Sequence, residues 1–492
     1  MRLLRLCLVF CAGLTGTVAL AQTESTLYFM TSIPQSMEAN PAFIPRYKTV
    51  IGLPGLSSMA AVYSNNGFTY DDMTTKVNGV TQADLSKWTS SLAEKNYVQT
   101  SLQADLFRIG LRINPKMYFT ASSTAITHQR AMIPKGLATL FVDGTAPLVG
   151  TYSNTSPQAD QNSIISTNIG LAYQANEKLT IGGRLKFLVG QSNVSTENSS
   201  LIVQVGNDYQ ISATGSALVR TSGIQEMKTP GYDAASHWTN YLKNNGWGLD
   251  LGATYKFMDK LIVSASLTDI GFITWRNNTY QYTLDPAKAN YTFSGFDLNQ
   301  LVNHNQNYLN AQLDSLKKKF TMTESPIGSY STSLPGKFYL SANYELVKDL
   351  KLGVLFFGQN FRDQTSTGMT AALSKNFGKL VSSTVSYTVS NRSYNNLGLG
   401  VSFNMSPVQI YFVGDNLLGA PASLISEQTL NSYINSAQLL TLRAGINIVL
   451  GLDKGLTKKE TVADKSHNPK SNTSKAKVKT TFGRSPQRKK KK

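Results

Sequence analysis

Period-two alternation, kept up over lengths that cross a bilayer, is the feature that most constrains this chain. Over 179–189, Leu179, Ile181, Gly183, Leu185, Phe187 and Val189 share one face, while Thr180, Gly182, Arg184, Lys186 and Leu188 share the other. Phe107, Ile109, Leu111 and Ile113 alternate with Arg108, Gly110 and Arg112. Trp247, Leu249, Leu251, Ala253 and Tyr255 alternate in the same way with Gly248, Asp250, Gly252 and Thr254. Successive side chains of a strand point to opposite faces. These runs therefore read as strands, of the roughly 9–11 residues that a tilted membrane strand needs.

A turn recurs between such runs. AYQANEKLTIGG, TYKFMDKLIVSA and NYELVKDLKLGV each place a Tyr six residues before a Leu: Tyr173 and Leu179, Tyr255 and Leu261, Tyr344 and Leu350. LSKNFGKLVSST keeps the spacing from Ser374 to Leu380, and SFNMSPVQIYF keeps an aromatic, Phe403, before a looser turn. An aromatic at each strand end suits an interfacial girdle. Asn114-Pro115 is a sixth turn, between 102–113 and 116–127. Six hairpins make twelve strands; 49–64 adds one at the start and 437–451 one at the end, so the expected total is fourteen. The count is even. It puts the short turns on one side and the long connections, 65–100, 128–161, 192–245, 273–335 and 416–436, on the other. That asymmetry belongs to outer-membrane barrels. A soluble β-sandwich or propeller could use the same alternation. Low charge and long apolar faces favour an all-β, fourteen-stranded antiparallel transmembrane barrel.

Residues 1–21 read as a secretory signal peptide: Arg2 and Arg5, an apolar run over 6–20, then Ala19-Leu20-Ala21. Both cysteines, Cys7 and Cys11, fall inside it, so disulfides and thiol chemistry are not expected in the mature chain. Beyond the leader there is no run of about 18 apolar residues, hence no expected spanning helix. A closed barrel is the other structure that satisfies its backbone in lipid.

The net charge of +18 invites a nucleic-acid reading that its distribution undoes. The leader arginines hold two of these charges and residues 454–492 a net twelve, which leaves +4 for the body. Residues 453–492 are rich in Lys, Ser, Thr and Asn, end QRKKKK and show no apolar pattern, so they read as a disordered basic periplasmic tail. It reads either as a solvated tail without a specific partner or as a segment that binds an anionic partner in the periplasm; nucleic acid is not expected. Among the long connections, 200–220 reads as an extracellular hairpin, and 82–95 and 298–319 as amphipathic loop helices.

The N-terminal TLYFMTSIPQSMEANPAFIP, with Asn40-Pro41-Ala42-Phe43 just before the first strand, resembles the N-P-A motif of the FadL superfamily of long-chain fatty-acid transporters and of the related PorV-type proteins of type IX secretion. With Ile51-Gly52-Leu53-Pro54 and the paired strands, residues 22–452 are most similar to a Bacteroidetes-type family of FadL-like outer-membrane proteins of unassigned function. The resemblance implies a barrel over 48–452, with 22–47 as a plug segment and Asn40, Pro41, Ala42 and Phe43 as its anchoring turn. The FadL transport residues have no match here, and the basic tail is foreign to the pattern.

Enzyme chemistry is not expected. His128, His237, His304 and His467 are not spaced for a metal, and G-x-S-x-G, H-E-x-x-H and phosphate-cradling loops are missing. Loop carboxylates such as Asp71, Asp72, Asp233 and Asp297 are the weaker alternative. No cofactor is expected. If the apolar faces meet lipid, Arg108, Arg112, Arg184, Lys186, Lys337, Lys351 and Arg443 face the lumen, because Arg or Lys at the bilayer midplane costs roughly 2–4 kcal/mol. They either attract anions or pair with carboxylates such as Glu24 and Glu38 to hold the plug; pairing is preferred. The expected function is passage or capture of a small hydrophobic or amphipathic ligand, with outer-membrane lipid around the wall and both termini in the periplasm. A barrel that docks secreted or periplasmic proteins is the alternative.

Overall fold

The computed structural model describes residues 25–452 apart from 66–67, 69–70, 232, 234–237, 294–313, 363, 391–392 and 418–438. The expected leader, Glu24, His237, His304 and the expected tail with His467 lie outside the described residues.

Fourteen antiparallel strands close into one barrel. The first, β1, comes in two pieces, Tyr47–Gly52 and Met59–Asn65. It is followed by β2 (Lys95–Asn114), β3 (Met117–Pro134), β4 (Gln158–Gln174) and β5 (Leu179–Val205). Then come β6 (Asn245–Met258), β7 (Leu261–Trp275), β8 (Gly336–Val347), β9 (Leu350–Phe361) and β10 (Gln364–Phe377). The wall ends with β11 (Val381–Ser390), β12 (Ser393–Met405), β13 (Val408–Asp415) and β14 (Leu439–Leu452). Each strand pairs with its neighbour in sequence, and both pieces of β1 pair with β2 and with β14, which seals the cylinder. Closure removes the unpaired edges that lipid cannot solvate.

The faces are inverted relative to a soluble protein. Leu185 and Trp247 are about three-fifths exposed on the outside, whereas Ser264, Thr370, Ser386 and Asn447 are buried on the inside. The strand-end aromatics Tyr173, Tyr255, Tyr344 and Phe403 also stand on the outer surface. Lipid is the solvent this surface matches.

Three expectations need correction. The first strand is not continuous over 49–64. Pro54 lacks an N–H for the ladder and Gly55 takes a positive φ of 67°, so 53–58 leave the strand as a turn. The Leu53 carbonyl accepts from Ser57 N at 3.1 Å, and the Asp105 carbonyl accepts from Gly55 N at 2.8 Å. Short turns are not confined to one end: Phe361 pairs with Gln364 and Ser390 with Ser393, two tight hairpins at the end of the long connections. The strands also outrun their expected limits. β2 has 20 residues and β5 has 27, so β5 rises past the wall and pairs with Ile211–Ser222, where the hairpin over 200–220 is expected. Residues 85–91 form the helix expected within 82–95, capped by Asp84, but of 298–319 only 314–319 are described, as helix.

Candidate functional site: the plug and the lumen above it

Residues 25–46 enter the lumen. Helix α1 (Ser25–Phe29) is wholly buried. Its first turn hangs on one wall carboxylate: Asp415 Oδ1 accepts from Thr26 N at 3.1 Å, Thr26 Oγ1 at 2.5 Å and Ser25 Oγ at 3.1 Å. Tyr28 stacks on Tyr339 of β8, ring centres 5.5 Å apart, and meets Phe43 edge-on at 5.1 Å. A single turn of 3-10 helix follows, Pro34–Glu38. There the buried Gln35 amide donates to Ser57 O and Asn447 Oδ1, both at 2.9 Å, and accepts from Asn447 at 3.1 Å. A buried amide left unmatched would cost about 1–3 kcal/mol; this one is satisfied at both ends.

Asn40, Pro41, Ala42 and Phe43 form the turn that seats the plug on β5 to β7. Asn40 Oδ1 accepts from Ala42 N at 2.9 Å and Asn40 O from Phe43 N at 3.1 Å, while the Asn40 amide donates to Ala265 O at 3.3 Å. Ser266 Oγ donates to Ala39 O at 2.6 Å. The wall is bare where the turn lies. A Cβ on Gly252 would overlap Asn40 Oδ1, and one on Gly182 would overlap the Pro41 carbonyl. Glycine is what lets two backbones approach this closely.

The seven basic residues assigned to the lumen lie on inward faces, five of them in two clusters and two in separate places. In the first cluster Glu38 sits between Arg108 and Arg443, which donates at 2.9 Å. Arg108 is also held by Asp105 at 2.8 Å, and Arg443 by Ser58 Oγ at 2.7 Å and Gln103 at 3.0 Å. Burial would raise the Glu38 carboxyl, but the guanidiniums of Arg443, Arg108 and Arg184 prevail and hold it at about 2. In the second cluster Arg184 donates to the Met37 carbonyl and faces Asp250 at 3.5 Å. Lys186 bridges Asp250 at 2.9 Å and Asp269 at 2.5 Å. Lys337, from β8, joins this cluster by closing on the same Asp269 at 3.1 Å. Arg112 donates to Pro45 O at 2.8 Å, and Lys351 shares the inward face of β9 with Leu355 and Phe357.

Above the plug two cavities share Gln103, His128, Asn162, Pro335 and Lys337 in their linings, and enclose about 940 and 700 Å³ with their open mouths included. The lining is tiered. Along β5, Arg184 and Lys186 lie below Leu188; along β7, Asp269 lies below Ile273. Leu188 and Ile273 belong to one apolar cluster with Ile164, Trp275 and Tyr330, against which Ile126 and Leu334 pack. Farther up come Gln99, Ser101, Arg130, Asp160, Gln359 and Phe361. Arg362, at the tip between β9 and β10, reaches over the lumen to Asp160 at 3.0 Å, to Thr196 O at 2.6 Å and to Ser195.

Residues 41–415 match a protein family described as "Family of unknown function (DUF5723)". The chain belongs to the DUF5723 family. No curated protein matches it. Among solved structures it is similar to a TodX monoaromatic hydrocarbon channel with a deltaS2S3 mutation, at TM-score 0.40 and 10% identity over 88% of this chain and 95% of that one. It is also similar to the Pseudomonas putida toluene transporter TodX, at 0.36 and 10% over 88% and 94%. A Pseudomonas aeruginosa FadL homologue gives 0.40 and 9% over 88% and 100%.

The DUF5723 match runs from Pro41 in the plug turn to Asp415, which holds α1. Within this DUF5723 chain, sequence reading misses Asp105, Asp269, the Arg130–Asp160 pair at 3.0 Å and Arg362. The register slips between Asp105 and Phe107, and again between Leu249 and Leu251 opposite Asp269, so parity there is not that of the flanking run. For Arg362 no local pattern exists, because its partners lie about 165 residues away.

Proposed function

We propose that this outer-membrane barrel captures a small amphipathic ligand in the lumen above its plug and passes it on without covalent chemistry. The tiered cavity carries the reading: an apolar band at Ile126, Ile164, Leu188 and Ile273, with paired charges below it and, above it, amides and hydroxyls around the Arg130–Asp160 pair. Such a lining suits a molecule with an apolar body and a polar end. The plug stands across the path below, so passage requires it to shift, and the end with most of the short turns is taken as periplasmic. On that orientation both termini and the basic tail are periplasmic, and the tail is free to meet an anionic partner there. Docking of a secreted protein is the second reading, favoured by Phe141, Tyr152 and Tyr209, each at least 73% exposed near the long connections. The test is flux of a short alkyl amphiphile into liposomes holding the barrel. Ile164→Trp and Ile273→Trp, which fill the apolar band, are expected to cut flux about tenfold; unchanged flux in both would defeat capture.

A further inference from the structure

We infer that the polar end of the ligand is an uncharged, multiply hydroxylated group of the size of a sugar ring, seated in the upper cavity. The inference rests on the capture reading above and names the ligand class. Two observations carry it.

The first is that the charges of this cavity already have partners within the protein. Asp160 is held by Arg130 at 3.0 Å and by Arg362 at 3.0 Å, and Lys337 faces Asp269 at 3.1 Å. An anionic head would have to displace a carboxylate from a guanidinium or ammonium, or lie beside it, and like charges in a low-dielectric site repel strongly.

The second is what remains unmatched. Ser101 Oγ, Arg130 Nε and Gln359 Oε1 are buried, line this cavity and make no hydrogen bond to any described residue; Ser101 and Arg130 are each 8% exposed. Ser101 on β2 and Gln359 on β9 stand seven strands apart in a barrel of fourteen, on opposing walls. Unmatched buried groups are costly, about 1–3 kcal/mol each. A carboxylate offers acceptors only, and so cannot serve the Gln359 oxygen. A hydroxyl both donates and accepts, so a group that carries several can serve all three. Gln99, Gln103 and Gln129 supply further amides around the same space, and Phe361 an apolar face for ring C–H groups. The apolar band below then takes a short alkyl chain.

The experiment titrates the full barrel in nanodiscs with hexyl glucoside and with sodium hexanoate, which have the same alkyl chain and different heads. Hexyl glucoside is expected to bind at least tenfold tighter. Gln359→Leu and Ser101→Ala should each weaken it about three- to tenfold, as loss of one or two hydrogen bonds does, and leave hexanoate unchanged. Folding of each variant is checked by heat-modifiable gel mobility; if either misfolds, the wild-type preference between probes decides alone. Equal or tighter binding of hexanoate, or glucoside binding unmoved in both folded variants, overturns the assignment. Hexanoate binding lost in Ile164→Trp, with no glucoside binding, would remove the head group but leave capture standing. Binding of neither probe would remove both.

Discussion

A glycine can be indispensable for the space it leaves, and neighbouring glycines in this wall separate that role from all others. Gly182 faces the plug, where a Cβ would overlap Pro41; Gly183 faces outward, where the nearest atom to a Cβ is Asp250 O at 3.9 Å. Gly182→Ala and Gly252→Ala are expected to lose about 1–3 kcal/mol by overpacking, and to admit protease to 25–44. Gly183→Ala should match the wild type in both thermal melting and digestion. Equal behaviour of the three variants would mean that Asn40-Pro41 does not rest on the wall as described. The sequence shows both glycines inside one strand, and alternation assigns them to opposite faces. That the plug lies against the inner one is a contact between residues about 140 apart, and no local pattern carries it.

Elements were legible to the extent that their signals are local. Alternation and the Tyr-to-Leu spacing predict fourteen strands and six turns, and those strands are in the wall. Pro54-Gly55 held the signal for the break in β1, and an alternation count passes over it because the flanking residues stay in phase. Register slips at Asp105 and Leu249 hide acids that complete both charged clusters. The tip between β9 and β10 has no signal of its own in the sequence, yet it carries Arg362 across the lumen. This tip acts as a strap: Arg362→Ala removes its contacts with Asp160, Thr196 and Ser195. Both native cysteines, Cys7 and Cys11, fall within the expected leader, so in the barrel without residues 1–21 Ser101→Cys is a clean reporter. Its labelling by a maleimide should rise at least about fivefold when Arg362→Ala is added, in line with the loss of charge-assisted hydrogen bonds. An unchanged rate would show that the strap does not limit access.

At the scale of the whole molecule, only +4 of the net charge of +18 belongs to residues 22–453, and the strands of the barrel lie within these. Its basic residues face inward, as the cost of charge in lipid requires, but facing inward is not the same as creating a positive lumen. Lys186, Arg443 and Arg108 each have a carboxylate within 2.9 Å. Seen from a few ångströms away such pairs are dipoles, whose fields fade well inside the Debye length of about 8 Å at physiological salt. The pairing therefore sets the kinetics of arrival: the lumen cannot act as an electrostatic funnel. The association rate of hexanoate should change by less than about twofold between about 50 and 500 mM salt, whereas steered encounters fall steeply with ionic strength. Collision and desolvation, rather than long-range attraction, then govern how fast a ligand reaches this barrel.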